Sequence, residues 1–201
     1  MFNEIKRVMV NQCSPVFMGI KPAALFPLCS GGCLCCLRSL LPKNIRTLVL
    51  RENEGRPLVL LYEKTLLEKT LSECVVRRFL LEQGYPVISF SLFRILRHLK
   101  SRFPGGHFPH EIGLFLGYPA EDVAGFIRHK AQNYKFCGYW KVYGDEAAAR
   151  QLFRQYDLCR ECMERYTCGF PAVSLPAALR AFAETGGIEQ KDRTAANVSA
   201  A

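Results

Sequence analysis

The sequence lacks a long apolar run, and no long apolar segment follows the basic residues near its N-terminus. Its longest stretch without a charged residue covers 22–37, sixteen residues interrupted by Pro27, whereas a membrane-spanning helix needs about 20 apolar residues. Lys6 and Arg7 precede only three apolar residues, 8–10, which is too short for the apolar region of a secretory signal. We therefore expect no membrane span, no export, and a cytoplasmic protein whose thiols are mostly reduced.

The sequence also lacks the common catalytic motifs. It contains no P-loop, no nucleophile elbow, no glycine-rich dinucleotide-binding turn and no internal repeat. His110-Glu111 begins like the helix of a zinc protease, but that motif needs a second histidine four residues after the first. The chain has Leu114 there. No enzyme class follows from a motif alone.

Positive charge is in excess, and it is concentrated in the first half of the chain. The net charge is +9, with 15 Lys and Arg against 7 Asp and Glu in residues 1–100, and 12 against 11 in residues 101–201. A basic half can attract phosphates or an anionic surface, or it can be a solvated surface without a partner. The helix-turn-helix-like segment over 110–130 would bring Glu121 and Asp122 against DNA phosphates. We therefore expect no specific nucleic-acid partner.

Hydrophobic periodicity predicts an α+β fold with a small, mostly antiparallel or mixed sheet and several packed helices. Segments 46–52 and 57–63 are rich in Leu and Val and flank a turn, which favours a β-hairpin. Segment 14–28 holds several Pro and Gly residues and is expected to be irregular or briefly extended. The other predicted elements are a strand over 135–143 and helices over 2–12, 34–41, 65–83, 89–103, 110–116, 119–130, 146–156, 159–166 and 175–184.

The helix over 89–103 is basic and amphipathic. Such a helix can bind a membrane surface or an acidic partner, or it can present a solvated face. We expect a single compact domain over 1–185 and a disordered tail over 186–201, because the tail is small and polar.

Two blocks of the sequence resemble one bacterial family. The blocks are His110–Pro119 (HEIGLFLGYP) and Gly138–Tyr143 (GYWKVY), with a looser match at Cys13, Pro15, Gly19, Lys21-Pro22-Ala23, Leu25, Glu121-Asp122-Val123 and Gly125-Phe126-Ile127. The chain is similar over most of residues 1–160 to the family called domain of unknown function 3793, found mainly in anaerobic Gram-positive bacteria. The resemblance implies a cytoplasmic bacterial protein, and it brings no known activity and no established catalytic residues.

Residues around the first block form a candidate site. His110 and Glu111 begin a short helix after a Gly/Pro loop, and Tyr118 lies in the turn that follows. Cys13 and Lys21 lie in the Pro- and Gly-containing segment, which suits a binding loop. The hypothesis for catalysis uses His110 as proton carrier and Cys13 as nucleophile, with Glu111 beside them. Equally, His110 and Glu111 could only cap the helix while Tyr118 packs the turn.

Successive side chains of a strand point to opposite faces, so in the predicted strand over 135–143 Trp140 should face the core. The opposite face carries Cys137, Tyr139, Lys141 and Tyr143. A lysine flanked by tyrosines can bind an anion together with Lys21, or it can form an ordinary solvent face on which Tyr and Lys stems pack.

The ten cysteines include the spaced pair Cys159-x-x-Cys162, with Cys168 six residues further on. These three are the candidate metal ligands, and the group over 33–36 could complete the set. A structural zinc site usually pairs two Cys-x-x-Cys motifs. The alternative is that the thiols pack as small apolar side chains.

Two functions therefore stay open. The protein binds a small anionic ligand, or acts as an enzyme, through a pocket near Cys13, His110 and Lys141; or it is a thiol-based metal-handling or redox protein that uses its cysteine clusters. The sequence identifies no cofactor and does not decide whether the protein is an enzyme.

Overall fold

A three-stranded antiparallel sheet forms the centre of the molecule. The computed structural model describes residues 2–28, 34–52, 55–103 and 108–167. The strands are β1 (Ala23–Pro27), β2 (Ile45–Arg51) and β3 (Leu58–Glu63), in the order β1-β3-β2. Leu60 of β3 lies opposite Leu25 of β1 and Leu48 of β2. The hairpin expected from the two Leu- and Val-rich segments is confirmed, and β1 is the brief extended stretch of the segment over 14–28.

The first helical layer packs on one face of this sheet. It contains α1 (Phe2–Val8), a π-helical segment (Met9–Cys13), α2 (Ser14–Phe17) and α3 (Leu34–Leu40). Met9, Cys13 and Phe17 are buried with Val59 and Leu61 of β3. The helix predicted over 2–12 thus continues to Phe17, because Pro15 falls in the first turn of α2, where a missing N–H costs nothing.

The second helical layer packs on the opposite face of the sheet. Its helices are α4 (Lys64–Ser72), α5 (Cys74–Glu82), α6 (Leu92–Ser101), α7 (Ile112–Phe115) and α8 (Ala120–Arg128). Leu60 joins Leu67, Leu96 and Phe115 in this core. The single helix expected over 65–83 is wrong, since the backbone leaves the helical conformation at Glu73 with ψ 135°.

The C-terminal part of the described chain is a hairpin followed by a long helix. The elements are β4 (Phe136–Cys137), β5 (Lys141–Val142) and α9 (Glu146–Thr167). One continuous strand over 135–143 was expected, and this is wrong because the chain reverses around Gly138. The two helices expected over 146–156 and 159–166 are one helix, which Asp145 caps by accepting from the Ala148 N–H at 3.0 Å.

The observed elements confirm the α+β class. The predicted helix over 175–184 and the predicted tail over 186–201 lie outside the described residues, so the expected division into one domain and a tail stays a prediction. Among the described residues, no helix combines the length and apolar character needed to cross a membrane.

Candidate functional site

A pocket of about 350 Å³ lies between α7, α8 and the β4–β5 hairpin. We call it the aromatic pocket, because six rings line it together with the aliphatic side chains of Leu25, Ile112, Leu116 and Val123. The rings belong to Phe108, His110, Tyr118, Phe126, Tyr139 and Trp140. The lining is completed by Gly113, Asp122, Cys137, Gly138 and Lys141. Four residues that the sequence singled out therefore share one cavity: His110, Tyr118, Tyr139 and Lys141.

The rings are held by contacts with one another and with the core. Tyr118 stacks on Trp140 with ring centroids 4.6 Å apart and planes 26° apart. Trp140 in turn meets the edge of Phe153 of α9 at 4.4 Å. Tyr118 also lies against Gly113, where a Cβ atom would come within 3.1 Å of its Cδ2 atom. The wall formed by Tyr118 and Trp140 is therefore fixed by α7 on one side and α9 on the other.

Asp122 anchors the hairpin to α8. The carboxylate is buried and accepts hydrogen bonds from Trp140 Nε1 at 2.6 Å, from the Tyr143 backbone N–H at 2.7 Å and from the Gly144 N–H at 2.8 Å. Three donors compensate the cost of burying this charge. The sequence did not single out Asp122 as an anchor, because its contacts to the hairpin are 18 to 22 residues away along the chain.

His110 and Lys141 bring polar groups to the lining. His110 is exposed, and its ring lies 5.0 Å from Phe126 and 6.1 Å from Phe108, measured between centroids. The Lys141 ammonium donates to the Ala131 carbonyl at 2.8 Å and lies 4.7 Å from the centre of the Tyr134 ring. An ammonium has three donors, so this one keeps donors for a ligand.

The two tyrosines of the lining are neutral hydrogen-bonding groups at neutral pH. Burial raises the pKa of Tyr118 to about 12. Burial, and then the hydrogen bond to Asp157, raises the pKa of Tyr139 to about 12. The Tyr139 hydroxyl donates to that carboxylate at 2.9 Å.

Lys21 and Cys13 lie behind the pocket and are not in its lining. The Lys21 ammonium is 5.4 Å from the centre of the Tyr118 ring and 5.6 Å from that of Tyr156. Burial lowers the pKa of Lys21 to about 8, and burial raises the pKa of the Cys13 thiol far above its usual range. Since the thiolate is the nucleophilic form, Cys13 in this environment is a neutral, enclosed thiol.

Glu111 also lies outside the lining of the aromatic pocket. It is 3% exposed, and it accepts from the Tyr85 hydroxyl at 3.0 Å and from Arg102 Nε at 2.9 Å. Tyr143 lines a separate, smaller cavity on the other side of α8, where it stacks on His129 with ring centroids 5.6 Å apart. The structure therefore separates Glu111 and Tyr143 from the pocket that holds His110.

A comparison with protein families identifies the chain's relatives. The model of a family described as a protein of unknown function (DUF3793) matches residues 9–172. The chain belongs to this family. The resemblance found in the two sequence blocks is thus confirmed, and every lining residue named above lies within the matched range. No curated protein and no solved structure matches the chain.

The cysteines of this DUF3793 protein do not form a metal site within the described part of the chain. Cys159 is buried and Cys162 is half-buried, both on α9, and the third candidate ligand, Cys168, lies outside the described residues. Within those residues no three His, Cys, Asp or Glu side chains are grouped to hold a metal ion. Cys13, Cys74, Cys137 and Cys162 carry free thiols, whereas Cys35 is disulfide-bonded.

Sequence reasoning missed part of the pocket. Neither Phe108 nor Phe126 was singled out as a site residue, although both line the cavity. Trp140 was expected to face only the core, yet its ring is both buried and part of the lining. Gly138 was the available signal, because a glycine within an apparent strand often marks a break or a close approach.

Proposed function

We propose that the protein binds a small, planar, aromatic molecule that carries an anionic group, and that the aromatic pocket is the binding site. The observation that carries this proposal is the enclosure of about 350 Å³ by six rings, with His110 and Lys141 in the same lining. Ligand pockets are mostly apolar cavities with a few polar groups that set orientation. This pocket has that composition.

The walls favour a flat ring system over a flexible aliphatic chain. Aromatic rings prefer offset-stacked or edge-to-face neighbours at centroid distances of about 4.5–7 Å. Tyr118 and Trp140 already form a stacked pair, and His110 and Phe126 form an edge-to-face pair. A planar ligand can extend either arrangement without requiring new backbone geometry.

The charge of the ligand follows from the polar groups of the lining. Lys141 is a cation with donors to spare, and Asp122 already satisfies three donors of its own protein. A carboxylate or phosphate on the ligand would therefore meet Lys141 and His110, whereas a cation would meet no free carboxylate among the lining residues that are described.

The proposal is for binding, without an assigned reaction. Two of the three residues that the sequence suggested for catalysis, Cys13 and Glu111, lie outside the lining. His110 alone is placed to exchange a proton with a bound molecule. The alternative of a thiol-based metal-handling or redox protein that uses its cysteine clusters stays a prediction; among the described residues no three His, Cys, Asp or Glu side chains are grouped to hold a metal ion.

Naphthoate, an aromatic carboxylate, tests the proposal, and Trp140 supplies the readout. It is the single tryptophan of the chain, so its indole N–H gives one identifiable peak in a proton–nitrogen correlation spectrum. We expect naphthoate to shift that peak saturably, with cyclohexanecarboxylate and naphthylmethylamine binding more weakly. A naphthoate titration that leaves the Trp140 peak unmoved contradicts the proposal.

Variants of the polar groups test the second half of the proposal. Lys141→Met should weaken naphthoate binding about tenfold, since a charge-assisted hydrogen bond is lost. Lys69→Met, an exposed lysine on α4, is the matched control and should leave the affinity unchanged. Equal affinities of Lys141→Met and the unmodified protein would show that the anionic group is not recognised there.

A further inference from the structure

A larger cavity of about 750 Å³ lies elsewhere, between α6 and the β2 edge of the sheet. We call it the basic groove, and its charged lining consists of Arg46, Lys64, Arg97, Lys100 and Glu68. It shares no lining residue with the aromatic pocket. The groove is therefore a second surface feature, independent of the function proposed above.

The charges of the basic groove are unbalanced. Lys64 pairs with Glu68 at 3.9 Å. Arg46, Arg97 and Lys100 form no ion pair with any residue that the structure describes. Like charges collected in one concave site raise the local concentration of an opposite charge, so the groove is suited to an acidic ligand.

The basic groove also exposes large apolar side chains. Phe93 is 72% exposed and Phe90 is 36% exposed, and both line the groove. Ile88 precedes them in the chain and is 83% exposed. Single exposed apolar residues are ordinary, but the two exposed rings of Phe90 and Phe93 in one lining with Leu48 and Leu96 indicate a contact surface.

The groove lies beside the β2 edge of the sheet. β2 is the last strand in the order β1-β3-β2, and no other described strand pairs with its outer side. Its register with β3 is regular from Ile45 to Val49, and the irregularity falls between Val49 and Arg51. Edge strands present unpaired N–H and C=O groups that an extended peptide can use.

We propose that the basic groove binds an extended, acidic peptide segment of a partner protein, in which carboxylates alternate with apolar side chains. The carboxylates meet Arg46, Arg97 and Lys100, and the apolar side chains pack on Phe93 and the leucines of the wall. A flat lipid surface fits a concave site poorly. Single-stranded nucleic acid binds in grooves of cations that track its phosphates, and the carboxylate of Glu68 in this lining disfavours it.

The binding test uses the full-length protein and a fluorescein-labelled peptide of alternating Glu and Leu, measured by fluorescence anisotropy. A Gln-Leu peptide of the same length, a short oligothymidylate and vesicles of phosphatidylglycerol are the comparison probes. We expect the Glu-Leu peptide to bind at least about tenfold more tightly than the Gln-Leu peptide at low salt, with the difference shrinking as salt rises. Equal binding of the two peptides overturns the proposal, as does tighter binding of the oligonucleotide or the vesicles.

Charge reversal locates the site. Arg97→Glu and Arg46→Glu should each weaken Glu-Leu binding about tenfold or more. Arg94→Glu is the matched control, because Arg94 is exposed on the same helix but does not line the groove, and it should change the affinity less than about twofold. A loss shared by Arg94→Glu and Arg97→Glu means that net charge alone attracts the peptide, which overturns the proposal.

Two further readouts separate the groove from folding and from the aromatic pocket. The variants must keep the melting temperature of the unmodified protein. Arg46 and Arg97 are both exposed, so the groove can be tested by two separate substitutions. Phe93→Ser should also weaken the Glu-Leu peptide, whereas Val75→Ser, at another exposed apolar side chain, should not. Naphthoate binding at the Trp140 peak should be the same in all these variants; the two proposals therefore fail separately.

Discussion

Replacing Lys21 by methionine should stabilise the protein at neutral pH. Lys21 is 8% exposed, and its ammonium faces the rings of Tyr118 and Tyr156, with no ion pair among the described residues. Burial lowers its pKa from 10.5 to about 8. At about 1.4 kcal/mol for each pKa unit, the folded state bears a cost of about 3 kcal/mol for holding the charge at pH 7.

Contacts with the rings offset part of that cost. A desolvated ammonium over an aromatic ring gains about 1–2 kcal/mol. Methionine has a similar length and no charge, so Lys21→Met removes the cost of charge burial and keeps the packing. We expect the free energy of unfolding of Lys21→Met to exceed that of the unmodified protein by about 1–2 kcal/mol at pH 7.

The pH dependence distinguishes this effect from improved packing. Between the folded pKa of about 8 and the unfolded value of 10.5, the unfolded chain binds more protons at Lys21 than the folded protein does. Stability of the unmodified protein therefore rises with pH in that window. The advantage of Lys21→Met should shrink by about 1 kcal/mol between about pH 7 and about pH 9. Burial raises the pKa of Cys13 in the folded protein, so this thiol makes stability fall with pH above its unfolded pKa of 9.0. Measurements are therefore confined to about pH 9 and below.

Urea unfolding followed by Trp140 fluorescence measures this difference at both pH values. Lys69→Met, on the exposed side of α4, is the control and should be neutral at both. A Lys21→Met variant that is less stable than the unmodified protein, or whose advantage is the same at both pH values, refutes the reasoning.

Three further outcomes follow from single contacts. Asp122 accepts three hydrogen bonds, and Asp122→Asn replaces one of its two acceptor oxygens by an NH2 donor. We expect the free energy of unfolding in a urea titration to fall by about 2–3 kcal/mol; a loss below about 0.5 kcal/mol contradicts the anchoring role. Gly117→Ala combines a φ of +78° with a Cβ atom 2.6 Å from Pro22 Cδ. Calorimetry should therefore show a larger loss of thermal stability than for Gly55→Ala, where φ is +74° and the described part of the chain places no contacting atom within 4 Å of the new Cβ. Cys137 is exposed in the pocket lining and should react with maleimide in the folded protein, more slowly with naphthoate bound; Cys13 and Cys159, which are buried, should react only after unfolding.

The sequence predicted the elements whose signals are local. The β2–β3 hairpin has two Leu- and Val-rich strands around a turn, and its antiparallel pairing is confirmed. β1 has no such signal, because Ala23 and Ala24 are weak strand formers and their burial depends on β3 and the first helical layer. The alternation of apolar side chains did not predict the reversal at Gly138, since Phe136 and Val142 fit that alternation in a continuous strand and in a hairpin; the glycine itself was the signal of a break.

The candidate site was predictable where its members share an element. His110 and Tyr118 flank α7, and Tyr139 and Lys141 belong to the hairpin. The short distance along the chain within each pair was enough to predict that its two members lie near each other. What joins the two pairs is Asp122, whose hydrogen bonds cross from α8 to the hairpin. No periodicity encodes a contact of that kind, because it depends on how the helix and the hairpin meet in three dimensions.

Tyr118 connects the buried lysine to the aromatic pocket. One ring both stacks on Trp140 in the pocket wall and lies 5.4 Å from the Lys21 ammonium. A buried cation without a carboxylate partner is costly, and such costs are concentrated at sites where stability is exchanged for function. The ring of Tyr118 thus contacts the buried ammonium of Lys21 and also forms part of the pocket wall. If Lys21→Met gains stability and keeps its affinity for naphthoate, the lysine serves something other than this ligand; if it gains stability and loses affinity, the charge behind Tyr118 belongs to the binding site.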